Sequence, residues 1–310
     1  MKTAFIFPGQ GSQYAGMGKD LYEAFPEVRD IYDRASEILS FDLADLSFNG
    51  PADLLTRTDN AQPAIYTHST ALALLLSRAG GVADIVAGHS LGEYSALACS
   101  GVLTFEDGLR LVRRRGQLML DAGSYAPGGM AAVIGLEAGA VEELCRLSSD
   151  QGAVYPANFN APGQIVISGE RQGIEKAIEL AGQMGARRVI PLEVSGAFHT
   201  PFMAPAAAEL ANLLSPLADA SIPVVTNAEA VALYRKEDLK AALLKQIAGP
   251  VRWEESMRYL LQQGVTVFIE VGPGKVLAGL MKRIEKGVNT ASTDDAAGLA
   301  SALDFLKAGG

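Results

Sequence analysis

The chain reads as an α/β protein in which a large domain built on a parallel sheet is interrupted by a small ferredoxin-like one. Two observations carry that reading. Short apolar runs alternate with amphipathic segments of helical length along most of the 310 residues, the pattern of a parallel sheet covered by helices. Between residues 130 and 194 the order changes to β-α-β-β-α-β, a split unit that closes on itself. With 49% apolar and 20% charged residues, the chain can bury a large core, which excludes disorder.

The elements follow in order. Residues 4–7, an unbroken apolar run ended by Pro8-Gly9, predict a first strand buried on both faces. Residues 61–78 predict a long helix entered through Asn60 and Pro63. Ile85-Val86-Ala87 is a second strand that runs into Gly88, with one helix starting after Ser90 and another covering 105–122. Pro127-Gly128-Gly129 marks the change of pattern. Strand 130–134, helix 138–148, strands 154–159 and 164–168, helix 172–184 and strand 188–194 then make the split unit. After Pro201 the first pattern resumes, with a strand at Pro223-Val224-Val225, helix 236–247 and strand 266–271, and Gly272-Pro273-Gly274 turns into a last long helix. The expected domains are 1–126 with 198–310, and an insert at 127–197. There are no internal repeats.

Charge and composition narrow the function. Lys and Arg number 26 against 35 Asp and Glu, and a net charge of -9 argues against nucleic acid as the main partner. The two cysteines, Cys99 and Cys145, are far apart and read as buried small apolar residues, so neither a disulfide framework nor a metal site is expected. The apolar run after Met1 is too short for a signal peptide or a membrane span, and Ala71-Leu72-Ala73-Leu74-Leu75-Leu76, flanked by His68, Ser69 and Arg78, reads as a buried helix. A cytoplasmic protein with no membrane partner is expected.

Gly88-His89-Ser90-Leu91-Gly92 has the G-x-S-x-G spacing of a nucleophile elbow, and it stands where that spacing has meaning, between an apolar strand and a helix of small residues. The glycines permit a sharp turn that lifts the Ser90 hydroxyl from the sheet edge. The helix N-terminus then offers free amides, Leu91 first, to a developing oxyanion. A serine needs a base, and the chain has three histidines. His68 lies inside an apolar helix and reads as a satisfied core residue. His89 adjoins Ser90 on a tight turn, where neighbouring side chains diverge, and reads as a brace. His199 remains as the base: it follows Val194-Ser195-Gly196-Ala197-Phe198, the run that returns the chain from the insert to the main sheet.

Two polar residues fall on apolar faces. On a wheel of ~100° per residue, Arg115 sits in the arc of Phe105, Leu109, Leu111, Val112, Leu118, Met119 and Leu120, while Arg110, Arg113 and Arg114 point away and read as a solvated face. An inward guanidinium needs an anion. Either a structural salt bridge or a substrate carboxylate held by two parallel hydrogen bonds would supply it. Gln246 shows the same anomaly among Leu239, Ala242 and Leu243, at the end of its helix, where unpartnered carbonyls are able to orient an imidazole. No Asp or Glu near His199 completes a triad, and a backbone acceptor would explain that.

Pro8-Gly9-Gln10-Gly11-Ser12-Gln13 looks at first like a dinucleotide loop, but Tyr14 stands at the third glycine and no acidic residue follows at the right spacing. The glycine-flanked Gln10 amide is instead a candidate for the second oxyanion donor, since such loops expose backbone N–H groups at the sheet edge.

Together these residues resemble the malonyl-CoA:acyl carrier protein transacylase family, to which the acyltransferase domains of polyketide and fatty acid synthases belong. The resemblance covers nearly the whole chain. It rests on Phe7-Pro8-Gly9-Gln10-Gly11-Ser12-Gln13, Gln62-Pro63, Gly88-His89-Ser90-Leu91-Gly92-Glu93, Arg115-Gly116, Asn158-Phe159-Asn160, Phe198-His199, Gln246 and Glu270-Val271-Gly272-Pro273-Gly274. It implies an α/β-hydrolase-like large domain, Ser90 as nucleophile, His199 as base, and the Gln10 and Leu91 amides as oxyanion hole. It also implies that Arg115 clamps the malonyl carboxylate, that the Gln246 main-chain carbonyl orients His199, and that Phe198, Asn160 and Gln62 belong to the substrate site. Phe198 resembles malonyl-selecting members, in which a bulky ring leaves little room for an α-methyl group.

The implied reaction is ping-pong malonyl transfer from malonyl-CoA to acyl carrier protein in fatty acid biosynthesis, by a cytoplasmic monomer without a cofactor. The alternatives are a free-standing acyltransferase serving a polyketide synthase, a serine thioesterase or esterase, and a non-catalytic carrier-docking subunit. The missing acidic triad member and the inward Arg115 weigh against a hydrolase, and retention of every expected site residue weighs against a docking subunit. Since carrier proteins are acidic, docking needs a local basic patch, for which Arg187-Arg188 and Lys282-Arg283 with Lys286 are the candidates.

Overall fold

A computed structural model describes residues 2–125, 127–194, 196–214 and 217–307; the expected boundary at Ala126, and Ser195 in the return run, lie outside the described residues. Along the chain the strands are β1 (Lys2–Phe7), β2 (Ile85–Gly88), β3 (Gly128–Ile134), β4 (Val154–Ala161), β5 (Gln164–Glu170), β6 (Arg188–Leu192), β7 (Val224–Val225), β8 (Ala232–Leu233), β9 (Val265–Glu270) and β10 (Asn289–Ser292).

One sheet has the order β10-β9-β1-β2-β7-β8, with every pair parallel except the short antiparallel edge β7-β8. Its central strand explains its own sequence. Side chains alternate across a strand, so Phe5 and Phe7 enter one apolar cluster while Ala4 and Ile6 enter another on the opposite face. A strand with a core on each side has no solvent face, hence the unbroken apolar run. The second sheet is antiparallel, with the order β4-β5-β3-β6, and its helices Ala138–Ser148 and Arg171–Gln183 pack on one face over a third cluster that includes Val133, Val141, Leu144, Ile167 and Ala177. That is the ferredoxin-like arrangement. The two sheets are joined by a parallel bridge between Asn158 of β4 and Val251, with Phe159 N–H donating to the Val251 carbonyl at 2.9 Å and Val251 N–H to the Ala157 carbonyl at 2.8 Å.

Three expectations need correction. The segment after Gly274 is not one long helix: Val276–Ile284 stops, Gly287 turns the chain at φ +87°, β10 adds a parallel edge to β9, and Ala296–Lys307 follows. Cys145 is buried, but Cys99 is only half-buried. Arg113 does not belong to a solvated face. The helix Thr58–Arg78 contains Pro63, which has no N–H to give the carbonyl four residues back, that of Asp59. The Arg113 guanidinium donates to that carbonyl instead, to Asn60 Oδ1 at 2.8 Å, and pairs with the Asp59 carboxylate at 3.2 Å. Among the described residues, the chain before Thr58 holds four helices, one of them Pro26–Leu39, which buries Val28, Tyr32 and Ala35 at helical spacing.

Arg113→Ala leaves the Asp59 carbonyl without its donor and the Asp59 carboxylate with Arg57 alone, and is expected to lower unfolding free energy by about 1–3 kcal/mol. Arg110→Ala, on the exposed side, should change it by less than about 0.5 kcal/mol. Urea unfolding of the two variants checks the contrast, and equal losses would contradict it.

Candidate active site

The carboxyl ends of β1, β2, β7 and β9 lie side by side, and the loops that leave them meet at one edge of the parallel sheet. β2 ends at Gly88 and the helix Gly92–Cys99 begins four residues later. This turn is possible only with glycine at both ends. A methyl group built on Gly88 would lie 1.9 Å from the Gly92 carbonyl carbon, and one on Gly92 would lie 2.0 Å from the Phe7 oxygen. Ser90 itself sits at φ +51°, in the left-handed region that residues with a side chain avoid. It is held there from both sides: its N–H donates to Asn227 Oδ1 at 2.7 Å, and its carbonyl accepts from Gln246 Nε2 at 2.9 Å.

Ser90 Oγ is 2.8 Å from His199 Nε2, and His199 Nδ1 is 2.8 Å from the Gln246 main-chain oxygen. That carbonyl lies in the last turn of the helix Lys236–Ala248, where no further turn exists to supply its partner. A carbonyl only accepts, so Nδ1 carries the proton and Nε2 is left as the acceptor for the serine hydroxyl. His68, in contrast, accepts at Nδ1 from the Tyr32 hydroxyl at 3.2 Å and donates from Nε2 to the Asp294 carbonyl at 2.9 Å, a satisfied core residue. His89 braces the turn: its Nε2 meets Asn160 Oδ1 at 2.8 Å, and its ring packs on Trp253 at 5.4 Å between centroids.

Arg115 is 1% exposed. Its Nη1 donates to Gln62 Oε1 at 2.9 Å, its Nη2 donates to Gln246 Oε1 at 3.0 Å and to Ser90 Oγ at 3.2 Å, and the guanidinium lies 5.3 Å from the Tyr94 ring centre. Among the described residues it forms no ion pair, and its Nε has no partner. The salt-bridge reading of this buried cation therefore falls.

These groups line a cleft of about 340 Å³ walled by Gln10, Leu91, Arg115, Met119, Met130, Asn158, Phe198 and His199. The amides of Gln10 and Leu91, outside any helix or strand, meet no backbone or side-chain acceptor among the described residues. Two expected members of the substrate site stand one step back. Gln62 is bound to Arg115 and does not line the cleft, and Asn160 is bound to His89 and lines a second opening that adjoins it.

A family model for the acyl transferase domain matches residues 4–301. The chain belongs to the acyl transferase family. It is 46% identical over 309 residues to the malonyl CoA-acyl carrier protein transacylase of Bacillus subtilis strain 168, covering 99% of this chain and 98% of that one. An acyl-carrier-protein S-malonyltransferase from Burkholderia pseudomallei superposes with a TM-score of 0.94 at 45% identity, over 98% of this chain and 100% of that one. A malonyl-transacylase solved in complex with a type II PKS acyl-carrier protein superposes with a TM-score of 0.95 at 40% identity, again over 98% and 100%.

For an acyl transferase the electrostatics of this cleft matter as much as its distances. Burial, and after it the Arg115 charge, hold the His199 imidazole down to about 3, against the opposing pull of the Gln246 carbonyl. The ring is neutral at physiological pH and able to accept a proton. The roles of two residues here escaped the sequence reading. Asn227 holds the Ser90 N–H and donates to the Gly88 carbonyl at 2.6 Å, and buried Glu93 accepts from Asn227 N–H at 2.9 Å and from Gln246 Nε2 at 3.1 Å. The available signals were a polar residue two positions after the strand at Val224–Val225 and a carboxylate in a helix of small residues.

Because His199 protonates only as pH falls toward about 3, kcat/KM for the acyl donor should show no loss between about pH 7 and about pH 5. Single-turnover acylation rates across that range test this, and an acid limb centred near the ordinary imidazole value, about 6.5, would refute it.

Proposed function

We propose that the chain transfers malonyl groups from malonyl-CoA to the phosphopantetheine thiol of acyl carrier protein, in fatty acid synthesis in the cytoplasm, through a malonyl-Ser90 intermediate. The observation that carries this reading is Arg115: a buried guanidinium beside the nucleophile, with no carboxylate in contact among the described residues, is matched by an acyl group that brings its own. The full-length kinship to malonyl transacylases supports it.

In the first half, Ser90 Oγ attacks the thioester carbon while its proton passes to His199 Nε2. The oxyanion forms against the Gln10 and Leu91 amides, which stand free to receive it. Collapse breaks the carbon–sulfur bond, and the coenzyme A thiolate leaves with the proton from His199. In the second half, His199 takes the proton of the carrier thiol, the thiolate attacks the malonyl ester, and Ser90 Oγ regains its proton. No cofactor enters, since the transfer is redox-neutral and coenzyme A is part of the substrate. The donor also tunes the base. Arg115 depresses His199, so a carboxylate seated on Arg115 offsets that charge and raises the basicity of the imidazole when it is needed.

A second opening of about 250 Å³ adjoins the cleft, sharing Gln10, Gly11, His89, Asn158 and Leu192 with it and reaching outward along Val166, Gln164 and Leu280. At its outer end the two basic patches become one. Arg188, Ile134 and Gln164 are in-register neighbours across β6, β3 and β5, so they share a sheet face, and Gln164 Oε1 accepts from Arg283 Nη1 at 2.7 Å. A groove leading from a basic rim to Ser90 suits an acidic carrier that extends a pantetheine arm.

Intact mass after mixing with malonyl-CoA should show a malonyl adduct that is absent in Ser90→Ala and that discharges onto phosphopantetheinylated carrier faster than into water. No adduct would sink the reading, and loss only to water would make the chain a hydrolase. Arg188→Glu with Arg283→Glu should raise KM for the carrier several-fold and leave KM for malonyl-CoA unchanged. Equal changes in both constants would remove this rim as the carrier's landing site.

A further inference from the structure

Glu93 is a buried carboxylate that the mechanism above does not use. It is 0% exposed, its Oε2 accepts from Asn227 N–H at 2.9 Å and Gln246 Nε2 at 3.1 Å, and its Oε1 has no partner among the described residues. The Gln246 amide stands between it and Arg115, giving its N–H to Glu93 and its oxygen to the guanidinium at 3.0 Å. The line Arg115–Gln246–Glu93 thus joins one buried cation to one buried acid through a single oriented amide. Among the described residues, the charged group that acts on Glu93 is Arg115, the titratable neighbour it acts on is Tyr94, and Asn227 and Gln246 supply neutral donors.

We propose that Glu93 is the resident counter-charge of Arg115 in the acyl-free enzyme, and that it takes a proton from solvent when the donor's carboxylate arrives on the guanidinium. This inference rests on the malonyl reading of Arg115. A low-dielectric pocket that holds one cation stabilises one anion and not two. The substrate carboxylate is fixed in its ionised form by direct contact with Arg115, so the second negative charge, separated from it by an amide, is the one that is discharged. An ionised Glu93 leaves Oε1 as a buried, unpartnered anionic oxygen, which makes its charged form easy to give up. Burial pushes Glu93 up to about 7, against the pull of Asn227, Gln246 and Arg115, so the exchange costs little at physiological pH. Neutral acyl groups bring no second anion and trigger no uptake.

The consequence is a pH dependence specific to carboxylated donors. In the wild-type enzyme, acylation by malonyl-CoA should slow several-fold as pH rises from about 7 to about 8.5, because an ionised Glu93 opposes the incoming carboxylate, while slow acylation by acetyl-CoA should lack that decline. Glu93→Gln keeps an acceptor for both Asn227 and Gln246 and removes the titration, so its malonyl profile should be flat over the same range. A decline that persists unchanged in Glu93→Gln would overturn the proposal. Should that variant fail to fold, the wild type decides alone: in dilute indicator buffer near pH 7.5, malonyl-CoA should draw a proton onto the enzyme as the adduct forms, and acetyl-CoA should not. Malonyl loading with no proton uptake overturns this inference and leaves the functional reading intact, whereas absence of any malonyl adduct overturns both.

Discussion

A serine at φ +51° does not stay there unaided, since the left-handed region costs a residue with a side chain about 1–2 kcal/mol. The elbow persists because Asn227 grips the Ser90 N–H and Gln246 grips its carbonyl, so the strained peptide is pinned at both ends. Gln246 does more than pin. Its side-chain oxygen positions Arg115 and its main-chain oxygen orients His199. One residue at the end of one helix therefore fixes the nucleophile, the base and the buried cation relative to each other. That accounts for a glutamine, and not an aliphatic side chain, on an otherwise apolar helix face: each of its polar groups has a separate partner inside the protein.

The same economy governs charge. A Ser-His pair usually has an acid behind the imidazole; here the acceptor is a carbonyl, and a buried acid, Glu93, lies behind the glutamine amide. Replacing a carboxylate with a carbonyl leaves the field at Ser90 and His199 set by Arg115, with Glu93 an amide away. Such a site is a poor general esterase, because a neutral ester does nothing to relieve that field, and a good receiver for an acyl group that is itself an anion.

Much of this was legible in the sequence because a few residues were out of place. Arg115 and Gln246 stood on apolar arcs, Ser90 stood between a strand and a small-residue helix, and with only three histidines elimination left His199. Those are local signals, and the structure joins all four residues in one hydrogen-bonded network through Ser90 and Gln246. What escaped depends on non-local facts. Asn227 follows a two-residue strand whose importance lies in its pairing with β2, and Glu93 looks like a surface acid until the helix is seen to be buried. Resemblance to a family assigned Gln62 and Asn160 to the substrate site, but no spacing encodes their places there, Gln62 behind Arg115 and Asn160 on His89 in the wall of the adjoining opening. The C-terminal misreading was of another kind: β10 contributes a single edge, and its four residues carry too little apolar pattern to interrupt a helical reading.

The small antiparallel sheet is tied to the rest of the molecule at Val251, five residues beyond Gln246, and the chain leaves that sheet through β6 only a few residues before His199. Both partners of the imidazole–carbonyl bond are thus anchored to the seam between the sheets. The insert, though it folds around its own core, is not an interchangeable module. Exchanging it with that of a relative would move the base and the oxygen that steers it, so hybrid enzymes assembled from these parts have to carry the return run and the Gln246–Val251 stretch across together, as a single inherited block.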